Sequence, residues 1–337
     1  MPREDLDRLD RNNYTRLVDM TVAKYPVVGF EVLEEPNIAS RAFCLFRHDI
    51  DMLPDDALPI AEIEASRGVR ATYMVLLTSE YYNAFDRENA ATLRKIRALG
   101  HDIGLHFDAT WHAITSESEL DAALSREAGV LGDLLECSID CFSFHNTTEF
   151  TMNCRAPHYA GLRNAYAGLF QDHVAYVSDS NGMWRFATWR ERLAEQPDRI
   201  QILTHPEHWQ AKTNLAATRI GEILDGRAEN GWRSYCALLA HHGRINESEI
   251  GDVIAALSGG HCARGDAIVR QWLAGRREGA LADLAAAIIS SKQALSDAPA
   301  LAQALSMLAS GRRPTEKEAS AALHEGACVL ASHPDGG

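Results

Sequence analysis

Two carboxylates and a spread of histidines carry the chemistry in this chain. Asp49 and Asp51 lie in the segment Arg47-His48-Asp49-Ile50-Asp51. In extended backbone side chains alternate with a period of two, so both aspartates face one way. Beside a divalent cation such a pair divides its work. One ligates the ion and the other takes a proton from an activated water as general base. Histidines supply the remaining ligands that zinc and similar ions prefer. The local alternative is that the aspartates only cap a helix predicted from Pro54.

These residues need elements to hold them. Ala42 to Phe46 is a continuous apolar run, which suits a buried parallel strand and leads straight into His48-Asp49-Ile50-Asp51. Pro54 to Ser66 has helical spacing and stops before Gly68; Val69 to Leu77 is a second strand. Asn89 to Leu99 is a helix closed by Gly100, followed by a strand from Asp102 to His106. Ser116 to Leu135 opens with a Ser-x-x-Glu capping box, Ser116 to Glu119. Cys141 to Phe144, Ala175 to Ser178 and Ile200 to Leu203 read as further strands. A helix around Tyr14 to Val22 precedes them all.

Strands alternating with helices predict an α/β fold with a parallel sheet, open or closed into a barrel. Ligands in such folds sit at the carboxyl ends of strands. The polar clusters fall there: His48, Asp49 and Asp51; His106, Asp108 and His112; His145; Asp179; and His205 with His208.

Three divisions are expected. They are a lead-in over 1–40, a catalytic α/β domain over 41–215 and an all-helical, alanine-rich appendage over 216–337. Leu281 to Ile289 and Ala298 to Leu308 typify the last. It carries no recognisable motif, and its amphipathic faces suit a lid, an oligomer contact or a docking surface.

The net charge of -14 opposes a nucleic-acid or anionic-membrane surface. No stretch is long and apolar enough to span a membrane. The charged first ten residues lack a signal-peptide core, which reads as a cytoplasmic protein. Seven scattered cysteines without a tight pair suggest neither a zinc ribbon nor a disulfide framework. The expected partner is therefore a small molecule or glycan.

In their order and content, three segments resemble the NodB-homology polysaccharide deacetylases, most closely a divergent branch of bacterial surface-polysaccharide gene clusters. They are His48-Asp49-Ile50-Asp51, Gly100-His101-Asp102-Ile103-Gly104-Leu105-His106 and Ile202-Leu203-Thr204-His205-Pro206. Ser178 to Arg185 is similar to that family's aspartate and tryptophan segment, and the resemblance covers about residues 41 to 209. It implies a distorted (β/α) barrel with fewer than eight strands and hydrolysis of an N-acyl group, usually acetyl, from an amino sugar. Asp49 would be the catalytic base, Asp51 and His106 metal ligands, and His205 the general acid, oriented by Asp179. Trp184, with Arg185 beside it, would line the sugar pocket.

The chain departs from that family at the third ligand. Where the family carries a second histidine four residues after the first, this chain has Thr110. Asp108, His112 and His145 are the candidates, and His145 is preferred because a strand-end side chain is held more rigidly than one on a loop. His145 also stands where the family has an arginine-containing segment, which is missing here. Zinc is the first expectation for the single ion, with manganese, iron or cobalt as alternatives; a carboxylate third ligand would favour the harder ions.

Alternatives to a deacetylase are a deformylase or amidase with a non-sugar substrate, an inactive carbohydrate-binding relative, and an interaction scaffold. Arg155 and Arg163 are candidates for holding a substrate anion or are simply solvated; His208 and Trp209 for pocket wall or packing. His101, His241-His242 and the turn Ser258-Gly259-Gly260-His261 read as structural or surface features.

Overall fold

Eight strands make one sheet in the computed structural model, which describes residues 7–212, 215–241, 298–309, 312 and 314–331 of the 337-residue chain. They are β1 (Phe43–Ile50), β2 (Thr72–Leu76), β3 (Asp102–Phe107), β4 (Cys141–Phe144), β5 (His158–Tyr159), β6 (Leu162–Asn164), β7 (Ala175–Ser178) and β8 (Arg199–Thr204). The sheet order is β5-β6-β4-β3-β2-β1-β8-β7. Every pairing is parallel except the short β5–β6 hairpin. Residues of β1, β4, β7 and β8 line one common cavity, so the sheet curls around an interior without closing between β6 and β7.

The pleat divides each strand between two cores. β1 is buried along its whole length. Its Cys44, Phe46 and Ile50 join an outer core, while Phe43 and Leu45 face inward with Met74, Cys141, Phe30 and Val32. A Cβ on Gly104 would collide with Met74 Sδ and Cys141 Sγ, so β3 needs glycine to sit this close to its neighbours.

Helices cover the outer face. α1 (Arg11–Val22) starts at Asp10, whose side chain accepts from Asn13 N–H. α2 (Pro54–Ala65) begins with proline at its first position, where the missing N–H costs nothing. α3 (Arg87–Ala98) follows, and α4 (Glu117–Leu135) carries the Ser116–Glu119 capping box that its sequence predicts. Gly68 and Gly100, at φ of 69° and 97°, end α2 and α3 in a conformation that favours glycine. α5 (Glu149–Asn153), α6 (Gly168–His173) and α7 (Trp189–Ala194) are short.

The segment expected to be a lead-in is part of this layer. Tyr14 is fully buried and donates its hydroxyl to Glu64 Oε1 at 2.7 Å; Trp189 Nε1 donates to Thr21 Oγ1 at 3.0 Å. The chain forms two compact units, Met1–Ile223 and Leu224–Gly337. α8 (Ala216–His241) crosses that division. In the second unit α9 (Pro299–Ala309) and α10 (Glu316–Ala331) pack together, with Leu301, Leu305 and Ala322 buried. Its described residues include no strand. Leu281 to Ile289, His242 and Ser258 to His261 lie outside the described residues. Among the described residues no helix is long and apolar enough to cross a membrane.

Candidate metal centre

β1 sets the first half of the site. Arg47, Asp49 and Asp51 point into the curled sheet, because alternate residues share a face. His48 points the other way and hydrogen-bonds Glu64 Oε1 and Thr204 Oγ1 at 2.8 and 2.7 Å, so it is no part of the strand-end cluster to which its position assigned it. Nor do the aspartates cap α2. Leu53 occupies that position, without a side-chain cap.

Asp51, His106 and His145 converge: one potential ligand atom from each lies within 4.8 Å of the others. His106 Nε2 is 3.2 Å from Asp51 Oδ1, and His145 Nδ1 is 3.5 Å from the same oxygen and 3.2 Å from His106 Nε2. Asp51 Oδ1 is buried and accepts no hydrogen bond. A buried carboxylate oxygen left without a partner between two imidazoles is costly, and a cation at that point removes the cost. Two nitrogens and one carboxylate oxygen also match the donors that zinc and its neighbours take. The residues present fit a divalent ion.

Neighbours hold these ligands in place. Ser143 Oγ hydrogen-bonds His106 Nδ1 at 2.7 Å, which aims Nε2 at the cluster. The Asn146 amide meets His145 Nε2 at 2.8 Å. Burial raises the Asp51 carboxyl, but His106 and His145 outweigh it and hold the group well below its usual range. Burial lowers the His145 imidazolium, and Asp51 more than restores it.

Asp49 stands beside the cluster, its Oδ2 3.5 Å from His106 Nε2. Arg47 grips both of its oxygens, at 2.8 and 2.6 Å. Burial opposes ionisation, yet the guanidinium and His106 keep Asp49 below the ordinary carboxylate value.

Opposite lies His205, at the end of β8, with Nε2 3.9 Å from Asp51 Oδ2. Asp179, fully buried, accepts from the His205 backbone N–H at 3.0 Å and contacts Nδ1 at 2.7 Å. Trp209 Nε1 donates to its other oxygen at 2.6 Å. Burial pulls the His205 pKa down, but the bond to Asp179 and that residue's charge prevail and lift it to about 10. Arg47, Asp49, Asp51, His106, His145 and His205 open on one cavity of about 830 Å³.

No family model matches the chain, and no curated protein matches it.

Among the three candidates for the last ligand, only His145 enters the cluster. Asp108 accepts from the N–H groups of Thr110 and Trp111 at 2.9 and 3.0 Å, folding its own loop. His112 stacks on Phe107 at 5.0 Å and bonds Glu127 at 2.5 Å. Arg185 lines the cavity, but Trp184 does not. Trp184 packs on Trp209 and donates to Asp7 O, so the expected sugar-facing tryptophan is spent on packing. Trp209 is buried and holds Asp179, while His208 borders the cavity. Arg155 pairs with Asp172 and Arg163 with Glu34, away from the cavity lining. His101 is structural, bonding Ala61 O and Ala71 N.

Three contributors escaped the sequence analysis. Arg47 had a signal, the same two-residue spacing that joins Asp49 to Asp51. So did Ser143, two residues before His145 on one face of β4. Glu207 had none. It is buried on the turn after β8, faces the cavity, and burial pushes its pKa up to about 8.

Proposed function

We propose that this chain is a metal-dependent amide hydrolase, a distorted-barrel relative of the polysaccharide deacetylases, that removes an N-acyl group from an amino-sugar compound. The observation that carries it is the convergence of Asp51, His106 and His145 between Asp49 on one side and the His205–Asp179 pair on the other.

Asp51, His106 and His145 would hold the ion. A divalent cation there supplies Lewis acidity toward the acyl carbonyl and lowers the pKa of water. Asp49, kept ionised by Arg47, takes the proton of the attacking water. His205, protonated at neutral pH, gives its proton to the departing amine nitrogen. Asp179 fixes the ring so that Nε2 faces the reacting centre. Base and acid are thus in opposite protonation states over the same pH range, as amide hydrolysis requires.

The test is metal content together with acyl release. The zinc-loaded chain should liberate carboxylate from N-acylated amino sugars, and Asp49→Asn should cut kcat at least about a hundredfold with the metal retained. Metal at full stoichiometry with no hydrolysis of any N-acyl amino sugar would sink the proposal.

A further inference from the structure

Directly beneath the metal centre the interior of the sheet is not filled. β6 and β7 do not pair, and the segment 165–174, with α6, joins them in the chain and lines the cavity. It contributes Tyr166, Phe170 and Val174 to the cavity wall, together with Tyr176, Gln201 and Leu203. The same cavity contains Asp49, Asp51, His106 and His205. Phe170 and Val174 belong to the same inner core as Phe30, Phe43, Leu45 and Met74.

Gln201 is the telling residue. It is 3% exposed, it lines the cavity, and its side-chain amide has no hydrogen bond among the described residues. On β8 it stands four residues before His205, about 13 Å deeper at about 3.3 Å per residue. Register sets it between Leu45 of β1 and Tyr176 of β7. Its amide atoms are not sealed off without a partner; they face the cavity, where an uncharged polar atom of a ligand can replace water on them.

We infer that this interior space is an acyl-chain pocket, built for an N-acyl group several methylenes long with one uncharged hydrogen-bonding group toward its far end. Tyr166, Phe170, Val174, Tyr176 and Leu203 give this wall an apolar stretch beside Gln171, Ser178 and Gln201, which suits methylenes better than a sugar ring hydroxylated on most carbons. Among the cations lining the cavity, Arg47 is held by Asp49 and lies 5.1 Å from the Tyr166 ring, His205 is held by Asp179 and Arg185 is exposed, so an uncharged group suits the end near Gln201. The polar mouth, with Asn146, Asn181 and Arg185, is left for the amino-sugar part. Assigning the chain to an acyl group presupposes the amide hydrolase proposed above, whereas the pocket's preference for it does not.

The experiment compares N-acetyl-, N-hexanoyl- and N-(ω-hydroxyhexanoyl)-glucosamine as substrates of the zinc-loaded full chain. In parallel, calorimetry compares acetate with ω-hydroxyhexanoate as ligands. Each added methylene should raise kcat/KM about fourfold, and ω-hydroxyhexanoate should bind at least about tenfold more tightly than acetate. Gln201→Leu should lower the ω-hydroxyhexanoyl to hexanoyl ratio about tenfold. Leu203→Trp or Val174→Phe, each checked for native circular dichroism, should collapse the hexanoyl to acetyl ratio toward one. Equal binding of the two carboxylates, or a preference for acetyl that neither filling variant changes, overturns the pocket. Tight ω-hydroxyhexanoate binding lost in Leu203→Trp, with no substrate hydrolysed, keeps the pocket and removes the hydrolase.

Discussion

Arg47 and Asp49 face the same way on β1, and the guanidinium meets the carboxylate through two hydrogen bonds of 2.8 and 2.6 Å. Both are buried, at 1% and 3% exposure. The pair joins the inner wall of the sheet to the candidate metal site: Arg47 lies against Tyr166 and Asp49 beside His106. A carboxylate held this way stays ionised in a site that solvent hardly reaches.

Removing the cation alone should therefore be costly. Arg47→Met leaves Asp49 buried without its partner, which destabilises the fold by about 3–5 kcal/mol. The double variant Arg47→Met with Asp49→Asn should recover most of that loss. Guanidinium unfolding midpoints at constant slope measure both, and a double variant no better than Arg47→Met would contradict this role.

Metal stoichiometry separates the ligands from their neighbours. Alanine at Asp51, His106 or His145 should each reduce zinc affinity at least about a hundredfold, read by competition with a chromogenic chelator. Asp108→Asn and His112→Asn should keep full affinity, because neither side chain enters the cluster. Loss of zinc from His112→Asn in a folded protein would require a different ligand set.

His205 makes stability depend on pH in metal-free protein. Its folded pKa of about 10 lies above the ordinary 6.5. Its contribution is therefore complete below about pH 6.5 and is lost as pH rises through about 10. Asp179→Asn should lower the His205 pKa and flatten the fall in melting temperature between pH 7 and 10. Proton NMR of the imidazole follows the first and calorimetry the second; an unmoved His205 titration would rule out Asp179 as the cause.

Behind the site, Glu64 is fully buried and joins Tyr14, Tyr73 and His48 at 2.7, 2.6 and 2.8 Å. Burial raises its pKa, but His48 and His101 hold it below 4.5. Its stabilisation is present above that value and disappears as pH falls through the folded pKa. Glu64→Leu strands three polar partners and should cost about 3–5 kcal/mol by urea unfolding, with zinc stoichiometry unchanged in the folded fraction. A loss below 1 kcal/mol would show that the network is incidental.

The sequence alone determined the local features. Apolar runs marked β1, β2, β3, β4, β7 and β8, glycines marked the ends of α2 and α3, and the Ser116–Glu119 box marked the start of α4. It also put Asp49, Asp51, His106, Asp179 and His205 at strand ends, because that pattern is written within a few residues of each strand. Two-residue β5 and three-residue β6 were too short to leave a periodic signal.

Only the tertiary structure chose among Asp108, His112 and His145. That choice depends on β4 pairing with β3 in the register that sets Ser143 beside His106, which carries His145 to the cluster one turn of the pleat later. It likewise sent His48 to the helix side, gave Trp184 to packing, and left a cavity below the Asp51–His106–His145 cluster where β6 and β7 do not pair. Side-chain alternation is a property of one strand. Which strands are neighbours, and what fills the space between them, is a property of the whole sheet.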